Sequence, residues 1–328
     1  MTIIAWIIIL ILALVGAVAF SLALYSGWTT LRVENALPPL GRFVDVDGGR
    51  IHYLDQGSGP TLLLIHGLNG QMRHFTHSLL ERLKDKYRVI LVDRPGSGYS
   101  TRPRRAPARI RAQADTIGRF IDALGLDRPL VVGHSLGGAI ALSLALDHPA
   151  KVNGLALLAP VTHPQPEVPA AFLGLAINSA LLRKLIAWTL AIPFSIKYGP
   201  TVLGMVFSPQ AVPADFATKG GGLLALRPRS FIAASRDLIA ASGDLERMPA
   251  CYGSLKVPVG ILFGTHDRML NIVRHGEAAA KKIPGADFER IEGEGHMLPI
   301  TSPDRVAKFI GRMAQRVAAA GAKPQPAA

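Results

Sequence analysis

The N-terminal segment differs from the rest of the chain in its hydrophobic pattern. From residue 3 to about residue 25 the sequence is apolar almost without interruption, and none of these residues is charged. A helix of this length can cross the ~30 Å of hydrocarbon in a bilayer, so the pattern predicts a transmembrane anchor over residues 1–28. A cleaved signal peptide is the alternative. Such a peptide has a basic start and a shorter apolar run, whereas no Lys or Arg precedes Ile3.

A connector is expected between this anchor and the folded domain, over residues 29–41. It contains Pro38 and Pro39, which favour an extended chain. The charged residues near the apolar run are few, with Arg32 and Glu34 on its C-terminal side. The side of the membrane on which the folded domain lies therefore stays open.

Alternating apolar and polar residues begin after residue 42. Residues 43–46 and 50–54 alternate around an Asp-Gly-Gly turn, which predicts a hairpin of two edge strands. Three denser apolar runs follow, each ahead of a glycine-bearing turn and a helical stretch: residues 61–65, 88–92 and 130–132. This alternation predicts a buried parallel sheet with right-handed crossovers. We therefore expect an α/β fold whose core spans residues 42–160 and 251–318.

The strand-helix alternation stops between residues 161 and 250. Apolar helical stretches over residues 172–190 and 232–241 predict a helical cap inserted into the core. The cap suits a lid over a fatty or aromatic acyl chain, but any cap helix needs an apolar underside to pack, and the pattern does not decide between the two. Candidates for the pocket wall or the core are Phe172, Trp188, Met205 and Phe207, with His163 near the pocket mouth. Residues 319–328 are expected to form a disordered tail.

Composition and charge narrow the classes of partner. The 328 residues suit one α/β domain with an insertion, and the formal net charge is +13. No nucleic-acid motif accompanies this charge, so we expect no nucleic-acid partner and consider anionic lipid instead. The single cysteine, Cys251, excludes an internal disulfide framework and a cysteine-rich metal site. The densest basic run, interpreted as a solvated loop or as a contact with lipid headgroups, comprises Arg102, Arg104, Arg105, Arg109 and Arg111.

The sequence Gly-His-Ser-Leu-Gly at residues 133–137 directly follows a predicted strand and precedes a helical run. A nucleophile on a sharp strand-to-helix turn has a strained backbone, so its flanking positions need almost no side-chain volume. Gly133 and Gly137 meet that need. We therefore predict Ser135 as a nucleophile, the alternative being that it only caps the helix. His134 is expected to point away from the site and to serve in packing.

An acyl-transfer site also needs hydrogen-bond donors for the oxyanion. These usually come from the amide after the nucleophile and from one amide in the turn after the third strand, and here Leu136 and Leu68 fit those positions. Residues 66–70 follow the 61–65 strand and contain glycines that allow the turn to fold inward. His66 in this turn is expected to brace the loop.

The acid and the base lie late in the chain if the order is Ser, Asp, His. Asp267 comes three residues after Gly264, the last residue of a predicted strand over 257–264. His296 lies on a glycine-rich turn, from which it can reach between Ser135 and Asp267. His266 is expected to face away.

Together these residues resemble the α/β-hydrolase superfamily, in particular its lipase- and esterase-like members. The resemblance covers residues 42–319. It rests on the His-Gly pair at residues 66–67, the Asp-Arg-Pro-Gly-Ser-Gly-Tyr-Ser run at 93–100, the Ser135 turn, Asp267 and the Gly-His pair at 295–296. It implies a triad of Ser135, His296 and Asp267, and it implies neither a metal nor an organic cofactor.

The resemblance leaves the substrate open, because one fold carries many activities. Esterases, lipases, thioesterases, carbon–carbon bond hydrolases and cofactor-free perhydrolases of the haloperoxidase type share the triad. Ser135 argues against epoxide hydrolases and haloalkane dehalogenases, which use a carboxylate nucleophile. We expect a serine hydrolase of carboxylic ester bonds that acts on a small-molecule or lipid-like acyl substrate. A non-catalytic membrane scaffold is the remaining alternative, and the oligomeric state stays open.

Overall fold

An eight-stranded sheet forms the centre of the protein in the computed structural model, which describes residues 2–321. The strands are β1 Arg42–Val46, β2 Gly49–Gln56, β3 Thr61–Ile65, β4 Arg88–Val92, β5 Leu130–His134, β6 Gly154–Leu158, β7 Val259–Gly264 and β8 Asp287–Ile291. Across the sheet their order is β1-β2-β4-β3-β5-β6-β7-β8. β2 pairs antiparallel with β1 and β4, and all other pairs are parallel. The predicted α/β-hydrolase architecture is confirmed.

Helices lie before, between and after these strands. They are α1 Ile3–Ala36, α2 Arg73–Thr76, α3 Leu80–Leu83, α4 Ile110–Ala123, α5 Leu136–Asp147, α6 Ala180–Trp188, α7 Ala191–Phe207, α8 Pro228–Leu245, α9 Met248–Cys251, α10 Ala278–Lys282, α11 Leu298–Thr301 and α12 Pro303–Gly321. Short 3-10 segments occur at Pro149–Lys151, Ala170–Leu175, Gly222–Ala225 and Tyr252–Ser254, and a π-helical turn at Val273–Glu277.

Burial explains why the central strands read as continuous apolar runs. Every residue of β5, β6 and β7 is buried, since helices cover both faces of a parallel sheet. The predicted hairpin forms, with Val46 opposite Gly49. Of the two hairpin strands, however, only β1 lies at an edge of the sheet. β2 lies inside the sheet because it also pairs with β4, through Tyr53 and Val92 among others.

Helix α1 is longer than the predicted anchor. It continues to Ala36, so the connector predicted from residue 29 is confined to residues 37–41. Two physical reasons account for the extension. Ser26, Thr29 and Val33 are buried, which gives this part of the helix a packing partner. Nothing then breaks the helix until Pro38, which disfavours helical geometry in the residue before it.

Residues 159–258, between β6 and β7, contain helices and no strand. The helical stretch predicted over residues 172–190 is interrupted: a 3-10 segment ends at Leu175, and α6 starts anew after Ser179. The Ser179 hydroxyl caps α6 by accepting from the Leu182 amide at 3.3 Å. The stretch predicted over residues 232–241 lies inside α8. At the other end of the chain, residues 319–321 belong to α12, and the rest of the predicted tail lies outside the described residues.

Candidate active site

Ser135 lies on a strained turn between β5 and α5. Its backbone has φ 54° and ψ −120°, in a region that L-residues rarely adopt. A Cβ atom at Gly133 would lie 2.6 Å from the Gly137 carbonyl oxygen, and one at Gly137 would overlap the Ile65 carbonyl oxygen. The two flanking glycines are therefore required for the close approach of backbone that holds this turn.

The loop after β3 packs directly on Ser135. A Cβ atom at Gly67 would lie 2.8 Å from the Ser135 Cβ and 3.3 Å from its Oγ. The next residue, Leu68, lies in the same pocket wall, and its amide makes no hydrogen bond within residues 2–321. Leu136 is the first residue of α5, where an N–H has no acceptor inside the helix. The predicted oxyanion donors thus both lie near Ser135, Leu68 in the loop after β3 and Leu136 at the start of α5.

His296 and Asp267 form a hydrogen-bonded pair. The His296 Nδ1 lies 2.7 Å from the Asp267 Oδ2, and both side chains are almost fully buried. The other carboxylate oxygen of Asp267 accepts from the amides of Met269 at 2.7 Å and Leu270 at 2.9 Å. These bonds fix the carboxylate, which in turn fixes the imidazole with Nδ1 protonated and Nε2 available. His266 is exposed, as expected.

The loop that carries His296 is held by a residue that the sequence did not point to. Gln210 accepts from the Gly295 amide at 2.9 Å and donates to the Gly293 carbonyl oxygen at 2.8 Å. The Thr265 hydroxyl also accepts from the Gly293 amide, at 3.0 Å. The glycine-rich turn is therefore held in place by both side chains. Gln210 is distant in sequence and carries no motif, so only the fold reveals it.

His134 does not point away from the site, contrary to the expectation. It lines the same pocket as Ser135, its ring centroid is 5.0 Å from that of His296, and its Nε2 donates to the His296 carbonyl oxygen at 3.0 Å. Burial lowers the pKa of His134 well below its usual value, and the neighbouring His296 adds to that shift. His134 is therefore neutral. It supports the backbone of the loop that carries His296 without adding a positive charge next to the His296 ring.

His66 braces its loop, as predicted. Its Nδ1 donates to the Gly67 carbonyl oxygen at 2.8 Å, and its Nε2 accepts from the Arg94 amide at 3.0 Å. Complete burial lowers the pKa of His66 well below its usual value, with the Arg94 charge as the next cause. His66 is thus neutral and structural.

A pocket that is partly open to solvent surrounds Ser135 and His296. Its apolar wall comes mainly from the residues between β6 and β7: Phe172, Val202, Leu203, Val206, Phe207, Phe216 and Leu224. Two candidates from the sequence, Phe172 and Phe207, are among them. Two others are not, since Trp188 and Met205 are exposed on the outside of the cap. His163 packs against Tyr252, outside this pocket.

The C-terminal end of α1 braces one side of this pocket. Val33 and Leu37 pack against Leu224, a pocket residue. Glu34 accepts from the guanidinium of Arg227 at 3.0 Å, and Arg227 also lines the pocket while being fully buried. The helix that carries the candidate anchor therefore also shapes the pocket wall.

A buried ion cluster links the cap to the loop after β3. Asp237 on α8 accepts from Arg94 at 2.7 Å and from Arg102 at 2.6 Å, and all three side chains are almost or fully buried. Arg94 also donates to the carbonyl oxygens of His66 and Gly67. In the sequence, Arg102 lies in a basic run that could be solvated, but its side chain belongs to this buried cluster. A buried charge needs an ionic partner, and Asp237 provides it.

Within residues 2–321, no group of three or more His, Cys, Asp or Glu side chains could hold a metal ion.

We expect Asp237→Leu to lower the free energy of unfolding by about 3–5 kcal/mol, because it leaves Arg94 and Arg102 buried without a counter-charge. Urea unfolding of the detergent-solubilised protein measures this. Asp304→Ala serves as the control, since Asp304 forms an equally short but exposed pair with Arg82 at 2.6 Å, and we expect a much smaller loss there. Equal losses in the two variants would show that the buried cluster does not stabilise the fold.

Acidification is expected to destabilise the protein through its buried histidines. Burial lowers the pKa of His74 to about 4, while the unfolded chain titrates near 6.5. Below pH 6.5 the unfolded chain therefore binds a proton that the folded chain does not, and stability is lost as pH falls toward 4, by up to about 1.4 kcal/mol per pH unit. Urea midpoints at pH 7.5 and 5 measure the loss. His74→Gln should reduce the pH dependence, and an unchanged dependence in that variant would contradict the assignment.

Comparison with known proteins shows which family the chain resembles. A model of the alpha/beta hydrolase fold family matches residues 60–199. A dihydrolipoyllysine-residue acetyltransferase component of an acetoin cleaving system from Cupriavidus necator is 41% identical over 37% of this chain, but the match spans only 32% of that relative. Haloalkane dehalogenase 2 from Mycobacterium tuberculosis is 28% identical over 82% of this chain and 93% of its own. An uncharacterized protein of Mycobacterium tuberculosis is 30% identical over 85% of this chain and 82% of its own.

Solved structures agree on the fold. A membrane phospholipase A, described as a bacterial virulence factor, superimposes with a TM-score of 0.69 at 23% identity, covering 96% of this chain and 98% of that one. A meta-cleavage product hydrolase from Pseudomonas fluorescens gives a TM-score of 0.70 at 19% identity, over 84% of this chain and 98% of its own. At these identities the likeness concerns the architecture alone.

Proposed function

We propose that this chain, which belongs to the α/β-hydrolase fold family, is a membrane-anchored serine hydrolase of carboxylic esters or related acyl bonds. One observation supports this function above all others. Ser135 lies on a strained turn in the same pocket as His296, whose ring is bonded to the buried carboxylate of Asp267. Nucleophile, base and orienting acid are the three parts that acyl transfer to serine requires.

The proposed reaction starts with proton transfer. His296 Nε2 takes the proton of the Ser135 hydroxyl, and the oxygen attacks the acyl carbon of the substrate. The negative charge that develops on the acyl oxygen accepts hydrogen bonds from the amides of Leu68 and Leu136. The N-terminus of α5 favours the same charge through its dipole. His296 then protonates the leaving alcohol, which breaks the ester bond and leaves an acyl group on Ser135.

Water completes the cycle. His296 removes a proton from a water molecule, whose oxygen attacks the acyl-enzyme, and the proton returns to Ser135 as the carboxylic acid departs. Asp267 stabilises the imidazolium form of His296 in both halves of the reaction and keeps Nδ1 protonated. Each proton taken up by His296 is given back within its own half-reaction.

The membrane assignment rests on α1. It is the one helix among residues 2–321 that alone is long and apolar enough to cross a bilayer, and its side chains up to residue 18 are almost all exposed to the surroundings. We propose that it is a single-pass anchor and that the substrate is a lipid-like acyl compound. The apolar wall of the pocket supports such a substrate, and a protein described as a membrane phospholipase A shares the fold.

The proposed domain arrangement follows from the same features. Residues 1–28 form the anchor and residues 161–250 a cap over the pocket, inserted between the two parts of the core at 42–160 and 251–318. The cap supplies Phe172, Val206 and Phe216 to the pocket wall. A lid function for the cap is therefore favoured over packing alone.

A substrate screen tests the proposed function. The full-length protein in detergent is assayed with ester, thioester, vinylogous diketone and peracid-forming substrates. We expect ester or thioester hydrolysis, abolished in Ser135→Ala. Halide-dependent peracid chemistry or carbon–carbon cleavage without any ester hydrolysis would replace the proposal by one of those activities. A folded protein inactive on all substrates would favour the membrane scaffold.

We expect Phe172→Trp to lower the turnover of long-chain esters about tenfold relative to short-chain esters, because the larger ring fills the apolar end of the pocket. Turnover of a series of p-nitrophenyl esters of increasing acyl length measures the preference. Trp188→Phe serves as the control, since Trp188 is exposed outside the pocket, and its profile should match the wild type. An unchanged chain-length profile in Phe172→Trp would remove this residue from the acyl site.

A further inference from the structure

The outer surface of α6 and α7 is apolar and exposed. Large apolar side chains protrude along both helices and the turn between them: Leu181, Leu182, Leu185, Trp188, Leu190, Phe194, Ile196, Tyr198 and Met205. Leu181 alone is 80% exposed. Soluble proteins rarely expose contiguous apolar surface on this scale without a partner for it. This set is called the outer cap face below.

The charges on α6 and α7 have one sign. No Asp or Glu occurs between Glu167 and Asp215. Two lysines, Lys184 and Lys197, are exposed on the same helices. An apolar face with lysines and no carboxylate is the pattern of a helix lying in the interface of an anionic bilayer, where the lysines are attracted to the charge of the lipid headgroups.

The two helices do not form one straight span. Together they are apolar enough for one span, but they are bent by 76° at the break between them. Their opposite side packs against the rest of the protein, because Ala187, Ile192 and Phe207 are buried. Val202, Leu203 and Val206 of α7 line the pocket that holds Ser135. Helix α7 therefore separates the acyl site on one side from the outer cap face on the other.

The position of α6 along α1 sets the depth of this face. Helix α1 contacts α6 and also the 3-10 segment Gly222–Ala225. The 3-10 contact involves the C-terminal end of α1, where Val33 and Leu37 pack on Leu224. Side chains of α1 up to residue 18 are almost all exposed, partial burial starts at Ala19, and the first buried residue is Ser26, while the uncharged apolar run extends to about Tyr25. The contacts of α1 with the folded domain, those with α6 included, therefore fall in the part of the helix that begins near the end of the apolar run.

We propose that the outer cap face inserts into the bilayer surface beside α1, so that phospholipid covers both apolar surfaces at once. The occupant is an anionic phospholipid bilayer, selected by the two lysines and by continuity with the anchor. A second copy of the chain would cover the outer cap face without explaining its alignment with the apolar run of α1. This inference rests on the proposed function in one respect. With Ser135 as the nucleophile of an acyl site, α7 alone separates that site from the lipid.

Tryptophan fluorescence tests the contact. The chain contains Trp6, Trp28 and Trp188, so Trp6→Phe with Trp28→Phe leaves Trp188 as the sole tryptophan. The full chain is reconstituted into vesicles of phosphatidylcholine with one fifth phosphatidylglycerol, with and without bromine on the upper acyl carbons. We expect bromine to quench roughly half of the Trp188 emission, because interfacial helices sit ~5–10 Å into the headgroup and acyl boundary.

A chain that keeps only Trp6 provides the reference for insertion of α1. Quenching of Trp6 without quenching of Trp188 overturns the proposal and leaves the anchor intact. Absence of both effects overturns the proposal together with the anchor. Labelling of Ser135 by a fluorophosphonate is measured on the same samples, so failure of the membrane contact is distinguished from failure of the hydrolase assignment.

Charge insertion provides a second readout. Leu185→Asp and Phe194→Asp alter the outer cap face, and neither residue lines the pocket. We expect each to lower hydrolysis of phospholipid in the same vesicles several-fold while leaving a short soluble ester unchanged. Val273→Asp, which changes an equally exposed apolar residue outside the cap, should leave both activities unchanged. Equal vesicle activity in all variants, or a detergent-stable dimer that only the two cap variants abolish, would overturn the proposal, the dimer in favour of a second copy.

Discussion

Replacing Ser135 with alanine is expected to lower ester turnover by several orders of magnitude while the protein stays folded. The Oγ atom is the proposed nucleophile, and no other hydroxyl lies on the strained turn after β5. His296→Ala should cost a similar factor, because the hydroxyl then has no base. The double variant should be about as slow as either single one, since residues that act in one step are not additive. Initial rates on a short soluble ester measure all three.

The matched control is another serine of the same pocket. Ser97 is buried and lines the pocket, but it has no place in the proposed reaction. We expect Ser97→Ala to keep turnover within a few-fold of the wild type. Substantial activity in a folded Ser135→Ala protein would remove Ser135 as the nucleophile.

Asp267→Asn is expected to lower turnover by roughly 10³–10⁴-fold, because the amide can present its N–H to His296 and favour the wrong tautomer. The volume of the side chain is unchanged, so this loss is chemical. The effect should fall on kcat more than on KM, as expected for an interaction that acts in the transition state. Steady-state kinetics of the purified variant give both values.

Two other carboxylates late in the chain provide the comparison. Asp244 accepts from the Arg111 amide, and Glu294 accepts from the Thr301 hydroxyl at 2.8 Å. Neither is bonded to His296, so Asp244→Asn and Glu294→Gln should stay within a few-fold of the wild type. Nearly normal turnover in Asp267→Asn, together with a large loss of turnover in Glu294→Gln, would assign the acid to Glu294 instead.

The sheet and the Ser135 turn were predictable because their signals are local. A strand buried on both faces is a run of apolar residues in the sequence, whichever strands it pairs with. Three such runs coincide with β3, β4 and β5. The glycines at 133 and 137 indicate that backbone segments lie too close together there to leave room for a side chain. Asp267 and His296 could be placed after their strands for the same reason, and the structure brings them together at 2.7 Å.

The parts that escaped prediction depend on distant partners. The interior position of β2 follows from its pairing with β4, and the length of α1 follows from packing against the folded domain. Neither pairing leaves a periodic trace in the sequence. Asp237 and Gln210 likewise acquire their roles through residues far away along the chain, Arg94 and Gly295.

The cap shows how composition can mislead about the side of a helix. Phe172, Phe207, Trp188 and Met205 were equivalent candidates from the sequence, because all are large and apolar. The structure places the first two in the pocket wall and the other two outside. Hydrophobic periodicity predicts that a helix has an apolar face, but a helix that is apolar on both sides needs two apolar surroundings. We propose that in this protein they are the acyl pocket and the bilayer.

Covalent labelling of Ser135 tests the central claim most directly. The full-length protein in detergent is treated with a fluorophosphonate, which reacts with an activated serine, and is then digested and analysed by mass spectrometry. The account predicts one adduct, on the peptide that contains Ser135, and its loss in Ser135→Ala. It also predicts much slower labelling in His296→Ala, because the hydroxyl then lacks its base. A folded protein that stays unlabelled, or an adduct on a different serine, would contradict it.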